Sequence, residues 1–198
     1  MLITLDLETN TDHDTIWCGV TEEVKTGKQL VHTSPDTLIP VLRDATGVIG
    51  HNIIGFDAPV LENVWGLQLP GSQLIDTLVL SRLYNPSLEG GHSLDSWGKR
   101  FGDFKLDFSD YNAGLSDEMI DYCKQDVALT TSLYKHLLNV LKQEDFIDTC
   151  VDLEHKVAII TAVQERNGFV LDVSGATSLY QKITHRMRTI TTDLQKVF

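Results

Sequence analysis

The chain has 198 residues, 42% hydrophobic and 22% charged, an ordinary globular balance with room for one sizeable core and an appendage. Its 28 acidic and 16 basic residues leave a net charge of −12, which excludes a protein whose main work is to coat nucleic acid by neutralising phosphates. No apolar run reaches membrane-spanning length, the N-terminus lacks a signal peptide's basic start, and Cys18, Cys123 and Cys150 suit neither a disulfide framework nor a metal-binding pair. No membrane association and a reduced, cytoplasmic setting are therefore expected.

Residues 3–9 open the chain with Leu5 and Leu7 alternating with Asp6 and Glu8, the period of a strand. Further strands are predicted at 15–21 and 29–31, with a hairpin turn at Gly27-Lys28 between them. Ser34 and Pro35 start a helix that stops near Gly47, with Ser34 as its cap. A short buried strand follows at 48–51, then a helix over 56–65, a strand at 74–75 and a helix over 77–84. Residues 85–91 form a loop, Ser93 caps a short helix ending at Gly102, and 104–114 is irregular with interleaved aromatics. Ser116 opens a long helix to about residue 142, with acids favourably placed in its first turn. Three strands followed by alternating helix and strand indicate an α/β protein with a mixed sheet flanked by helices. From residue 147 the pattern is helical to 166, breaks at Asn167-Gly168 and resumes at Ser174 to the end, which is expected of a truncated chain.

Asp6 and Glu8 stand on one face of the first strand, since a strand sends residues i and i+2 the same way. Two like charges so placed raise each other's pKa unless a cation sits between them, and oxygen ligands suit hard cations. The pair also fits a solvent-facing acidic couple on an edge strand. Asp57 begins the helix after the buried strand at 48–51, where Asp is also a common cap. Tyr122 and Asp126, at i and i+4, share one helix face beside an inner stripe of Cys123 and Val127. That arrangement fits a metal ligand or a buried Tyr–Asp hydrogen bond.

Taken together, Asp6-x-Glu8, Asn52-x4-Asp57 and Tyr122-x3-Asp126 resemble, in order and spacing, the three motifs of the DnaQ-like 3′–5′ exonucleases with tyrosine in the third motif. The likeness extends to the proofreading domain of family A DNA polymerases, particularly of small tailed phages, through 75–83, 93–98 and 165–172. It implies an RNase H-like sheet over residues 1–146 and, over 147–198, a helical extension resembling the start of a polymerase body. It further implies four metal-site acids, Asp6, Glu8, Asp57 and Asp126, holding two Mg2+ or Mn2+ ions. Tyr122 matches the tyrosine that orients the attacking water. Thr9 and Asn52 match positions that contact or support the terminal nucleotide, and Phe108 matches by spacing an aromatic that packs on the terminal bases. Implied partners are a DNA 3′ end, preferably single-stranded, and a polymerase domain in the same or a separate chain; if phage-encoded, the protein would act in the host cytoplasm. An apolar wedge often follows the first motif in that family, but Asp12 and His13 stand here. Asp76, His51 and His92 read as structural, and Arg100 and Lys105 as isolated cations. An RNA exonuclease of the same fold and a non-catalytic structural domain are the rival readings.

Overall fold

The computed structural model describes residues 1–103, 108–142 and 147–197. Its elements, in order, are β1 (Leu2–Thr9), β2 (Ile16–Glu23), β3 (Gln29–His32), α1 (Pro35–Asp44), β4 (Gly47–Gly50), α2 (Asp57–Trp65), β5 (Leu74–Asp76), α3 (Thr77–Tyr84), α4 (Leu94–Phe101), α5 (Asp117–Leu141), α6 (Ile147–Asn167) and α7 (Val173–Val197). The five strands form one mixed sheet in the order β3-β2-β1-β4-β5. Ser34 occupies the cap position of α1 but makes no side-chain cap bond; instead its carbonyl accepts the Thr37 and Leu38 N–H groups. Lys105 lies outside the described residues, as does the stretch just before residue 147 where a domain border is expected.

β1 sits at the centre of the sheet. It pairs antiparallel with β2 from Ile3 to Thr9, but parallel with β4 only from Leu2 to Thr4. Beyond Thr4, β4 has ended and the chain turns away, so the second half of β1 has a free edge on that side. The period-two pattern decides what each face meets. Ile3, Leu5 and Leu7 join Leu38, Leu42, Ile53 and Leu61 in the core beneath α1 and α2. Thr4, Asp6 and Glu8 alternate onto the other face, which α5 covers with Met119, Cys123, Val127, Leu133 and Leu137.

Along this seam, Thr4 Oγ1 and Thr131 Oγ1 share a buried hydrogen bond of 2.7 Å. It ties the strand of the first two acids to the helix of the fourth. At the far edge of the sheet, His155 of α6 accepts the Asp76 N–H at Nε2 (2.9 Å), and its Nδ1–H donates to the Val151 carbonyl (2.8 Å). Because a backbone N–H can only donate, the pair of bonds fixes the proton on Nδ1.

The chain divides into two compact units, Met1–Val163 and Gln164–Phe198. Within the second, the helical path breaks at Gly168 with φ +63°, a conformation that glycine adopts without strain, and restarts as α7. Tyr180, Ile183, Met187, Ile190 and Leu194 recur along α7 at alternating intervals of three and four, and all are at least 49% exposed. Among the described residues no helix is long and apolar enough to cross a membrane.

Replacing either hydroxyl of the seam strands the other in a buried site, so Thr4→Val and Thr131→Val should each destabilise the fold by about 1–3 kcal/mol. The double variant should recover much of that loss, and denaturant unfolding of all four proteins as a double-mutant cycle measures the coupling.

Candidate active site

The site is built where β1 runs under α5. Asp6 and Glu8 project from the strand; Tyr122 and Asp126 face them from one turn of the helix. An open cleft of about 400 Å³ is lined by all four, together with Thr9 and His13. Glu8 and Asp126 are buried, at 5% and 4% exposure, so their charges sit at the protein's inner wall rather than in bulk water. Ligand atoms of Asp6, Glu8 and Cys123 all lie within 4.8 Å of one another. Cys123 donates its thiol toward Asp6, with Sγ 3.4 Å from the Asp6 carbonyl oxygen and 3.5 Å from Oδ2. A hydrogen bond with Cys18, then burial, and then the charges of Asp6 and Glu8 push the Cys123 thiol well above its ordinary pKa.

Asp57 comes from a different direction. It is the first residue of α2, is 3% exposed and lies within hydrogen-bond reach of the Leu7 N–H on β1, and it is not among the residues lining the cleft. Burial drives its pKa up to about 7; the negative charge of Asp76 adds to the rise, while the N–H groups of Asp57 itself and of Leu7 offset part of it. Its Oδ1 is buried and receives no hydrogen bond from the described residues. A buried carboxylate oxygen without a donor, next to a strand whose neighbours are Asp6 and Glu8, is the environment a hard cation relieves. The donor set is oxygen-rich, as magnesium and manganese prefer.

Tyr122 is held above its ordinary pKa, first by burial, then by the charge of Asp126, a hydrogen bond with Tyr111 and the charge of Glu8. Its hydroxyl therefore keeps its proton through the neutral and moderately alkaline range. Thr9 Oγ1 donates to the Asn10 carbonyl and shares a 3.0 Å bond with His13 Nδ1. Asn52 is exposed, adopts φ +65°, and is not among the residues lining the cleft. Phe108 is not among the residues lining the cleft, but its ring is 5.9 Å from that of Tyr122 and 5.0 Å from that of Tyr111, both of which are.

Sequence reasoning noted His13 in place of an apolar wedge but gave no role to Phe56, Tyr111 or Thr11, which also line the cleft. On one side His13, at the position of the expected apolar wedge, packs edge-on to Phe56 with ring centroids 4.9 Å apart. On the other, Tyr111 is anchored by Trp17, whose Nε1 donates to its carbonyl (2.8 Å). The two rims meet where Asn112 Oδ1 accepts the Thr11 N–H (3.1 Å). The density of aromatics after residue 103 was the one local signal for this wall. Arg100 is engaged elsewhere, donating to the Glu89 and Gly91 carbonyls and lying 4.9 Å from the Trp97 ring centroid. His51 and His92 bond the Thr77 and Ser81 hydroxyls.

The model of the 3′–5′ exonuclease of family A DNA polymerases matches residues 5–142, a span that contains Asp6, Glu8, Asp57, Tyr122 and Asp126. The chain belongs to this exonuclease family. The exonuclease is also similar to the DNA-directed DNA polymerases of Enterobacteria phage T3 and Escherichia phage T7, at 30% identity over 76% of this chain and 29% of each relative. It thus spans under a third of the length of those relatives. Among solved structures, Brucella melitensis NrnC with bound Mg2+ is similar with a TM-score of 0.64 and 18% identity, over 87% of this chain and 90% of that one. Escherichia coli RNase D, an exoribonuclease, is similar with a TM-score of 0.59 and 20% identity, over 80% of this chain and 45% of that one. These likenesses establish the RNase H-like exonuclease fold, a mixed sheet flanked by helices with a helical C-terminal extension.

Asp57 yields a pH prediction whose sign follows from its raised pKa. Between about pH 4 and about pH 7 the folded exonuclease holds a proton that the unfolded chain has already released. Stability in EDTA should therefore fall as pH rises through that window and level off above it. Asp57→Asn carries no charge in either state, so it should flatten the dependence and stabilise the protein by a few kcal/mol at about pH 8. Thermal melts in EDTA across the window test both points.

Proposed function

We propose that the exonuclease hydrolyses the terminal phosphodiester at the 3′ end of a DNA strand and releases a nucleoside monophosphate, as the proofreading part of a DNA polymerase. The observation that carries this reading is the convergence of Asp6, Glu8, Tyr122 and Asp126 on one open cleft. Asp6, Glu8, Asp126 and Asp57 would hold two divalent cations, Mg2+ or Mn2+. Bound there, such ions supply Lewis acidity, lowering the pKa of a water and offsetting charge on the phosphate and the leaving 3′ oxygen.

The chain's own residues do the rest. Tyr122, which retains its proton, is a hydrogen-bond donor and not a general base, so its work is to orient the attacking water. Thr9 and the ring pair His13–Phe56 flank one side of the cleft, and Tyr111 and Tyr122 the other. Rings on both walls suit unpaired bases, which stack on aromatic faces whatever their sequence. A paired end must first be melted, so single-stranded or mismatched ends are preferred. The net charge of −12 leaves affinity to local contacts, and a polymerase body, in the same chain or another, would bring the primer end to the cleft. Residues 147–198 are the segment that would lead into that body. The site of action is the cytoplasm, that of the host cell if the protein is phage-encoded.

The deciding experiment is digestion of 5′-labelled DNA and RNA oligonucleotides of one sequence, with and without magnesium. Stepwise shortening of the DNA that requires the metal is expected, with RNA degraded more slowly. Asp6→Ala and Asp126→Ala should each fall to background while keeping native circular dichroism. Tyr122→Phe removes one hydrogen bond to a charged group, worth about 1.5–3 kcal/mol, so turnover should fall roughly ten- to hundred-fold. Its pH–rate profile should keep the wild-type shape, because the tyrosine does not titrate in the working range.

A further inference from the structure

Asp57 reaches the site on a short loop, and a single buried side chain holds that loop. Asp76 ends β5 and is 2% exposed. Its Oδ1 accepts the N–H groups of Asn52 (2.9 Å) and Leu78 (2.9 Å), and its Oδ2 accepts that of Ile54 (3.1 Å). The Leu78 bond caps α3; the other two reach across to the segment after β4. That segment is wound tightly on the same support. The Asn52 carbonyl accepts from Gly55 and Phe56, and the Ile53 carbonyl accepts from Ala58. Asn52 is held at φ +65°, which lets the chain reverse within a few residues, and Ile53 is fully buried beneath the turn. Thr77, next to Asp76, donates to the Gly50 carbonyl at the base of the same loop (3.1 Å). The next residue after this wound segment is Asp57.

We infer that Asp76 is the positioning residue for Asp57: its carboxylate, gripping the Asn52 and Ile54 N–H groups, sets where the loop presents Asp57 to the free edge of β1. Asp76 does not reach the reacting atoms itself. It acts as the outer support of a ligand, and loss of such support commonly weakens metal affinity or activity ten- to hundred-fold. The support has its own anchor, because the Asp76 N–H donates to His155 on α6. The placement of Asp57 therefore depends on three segments distant in sequence: residues 52–56, the end of β5 and α6. The inference rests on the reading of Asp57 as a member of the metal-binding set.

The two carboxylate oxygens allow the positioning role to be separated from the cap. In Asp76→Asn the amide oxygen can keep the Asn52 and Leu78 bonds, while the NH2 group faces the Ile54 N–H and cannot accept it. Mn2+ binding to this variant, measured by electron paramagnetic resonance of the free ion, should weaken by about ten-fold or more, matching the direction of Asp57→Ala. The Mg2+ concentration for half-maximal cleavage should rise similarly, and saturating Mn2+ should restore most of the rate. Leu80→Ala, a core truncation away from the loop, should lower the melting temperature without changing Mn2+ affinity. Wild-type Mn2+ affinity in Asp76→Asn, alongside a loss in Asp57→Ala, would overturn the positioning role and leave the reading of the site intact. Wild-type affinity in Asp57→Ala would overturn that reading and this inference together. An equal loss in Leu80→Ala would reduce the effect to general destabilisation and overturn it too. If Asp76→Asn does not fold, amide exchange of the wild type decides: slow exchange at Asn52 and Ile54, comparable to β4, is expected, and loop-like exchange refutes the inference.

Discussion

Repulsion between carboxylates crowded beneath a helix is the constraint that organises this molecule. Asp6 and Glu8 share a strand face, Asp126 lines the same cleft from α5, and Asp57 sits against the Leu7 N–H of the same strand. Such a cluster does not assemble by its own attraction; the apolar framework imposes it. Leu5 and Leu7 pull β1 into the core under α1 and α2, and this turns the acids toward α5. α5 in turn is held by Leu129, Leu133 and Leu137 against the sheet and by the Thr4–Thr131 bond. The burial that stabilises the fold thus keeps the acids together, and at Asp57 that burial itself, with the nearby charge of Asp76, raises the pKa.

The early truncation of β4 matters as much as its presence. Had β4 continued alongside β1 past Thr4, its backbone would have filled the edge that Asp57 approaches. Instead the chain leaves the sheet at Gly50, where a side chain would collide with Ile53: an added Cβ would lie 2.7 Å from the Ile53 Cβ. Glycine there permits the tight exit, and Asp76 and Thr77 receive the departing chain.

Much of this was legible in the residues. The alternation of Leu5, Asp6, Leu7 and Glu8 defined both the strand and its acidic face, and the i, i+4 spacing placed Tyr122 with Asp126. Helix ends marked by Ser93, Ser116 and Gly102 fall where capping chemistry puts them, and both serines accept the expected N–H. What local pattern could not reveal depends on contacts between distant segments. His13 against Phe56, Trp17 beneath Tyr111 and Thr11 with Asn112 pair residues from separate parts of the chain, and no periodicity links them. The same holds for Asp76: its place at the end of a strand was readable, but its grip on the loop at 52–54 needed the parallel pairing of β4 with β5. Phe108 and Asn52 were located by motif spacing, which carries no information about which way the chain turns; neither is among the residues lining the cleft, although the Phe108 ring lies 5.9 Å from that of Tyr122.

The central position of β1 also bears on the order in which the chain folds. β1, β2 and β3 are consecutive and can pair as a meander as soon as they leave the ribosome. The cover for β1's acidic face lies more than a hundred residues downstream in α5. Until that helix is made, Asp6 and Glu8 remain hydrated on the open side of a nascent sheet, where their mutual repulsion is screened by water and salt. Closing the seam is therefore a late event dominated by contacts of long sequence separation, a topology that slows folding. A nascent chain paused before residue 119 would present a strand with one apolar and one acidic face, and the acids would keep that unfinished sheet from stacking against its own kind.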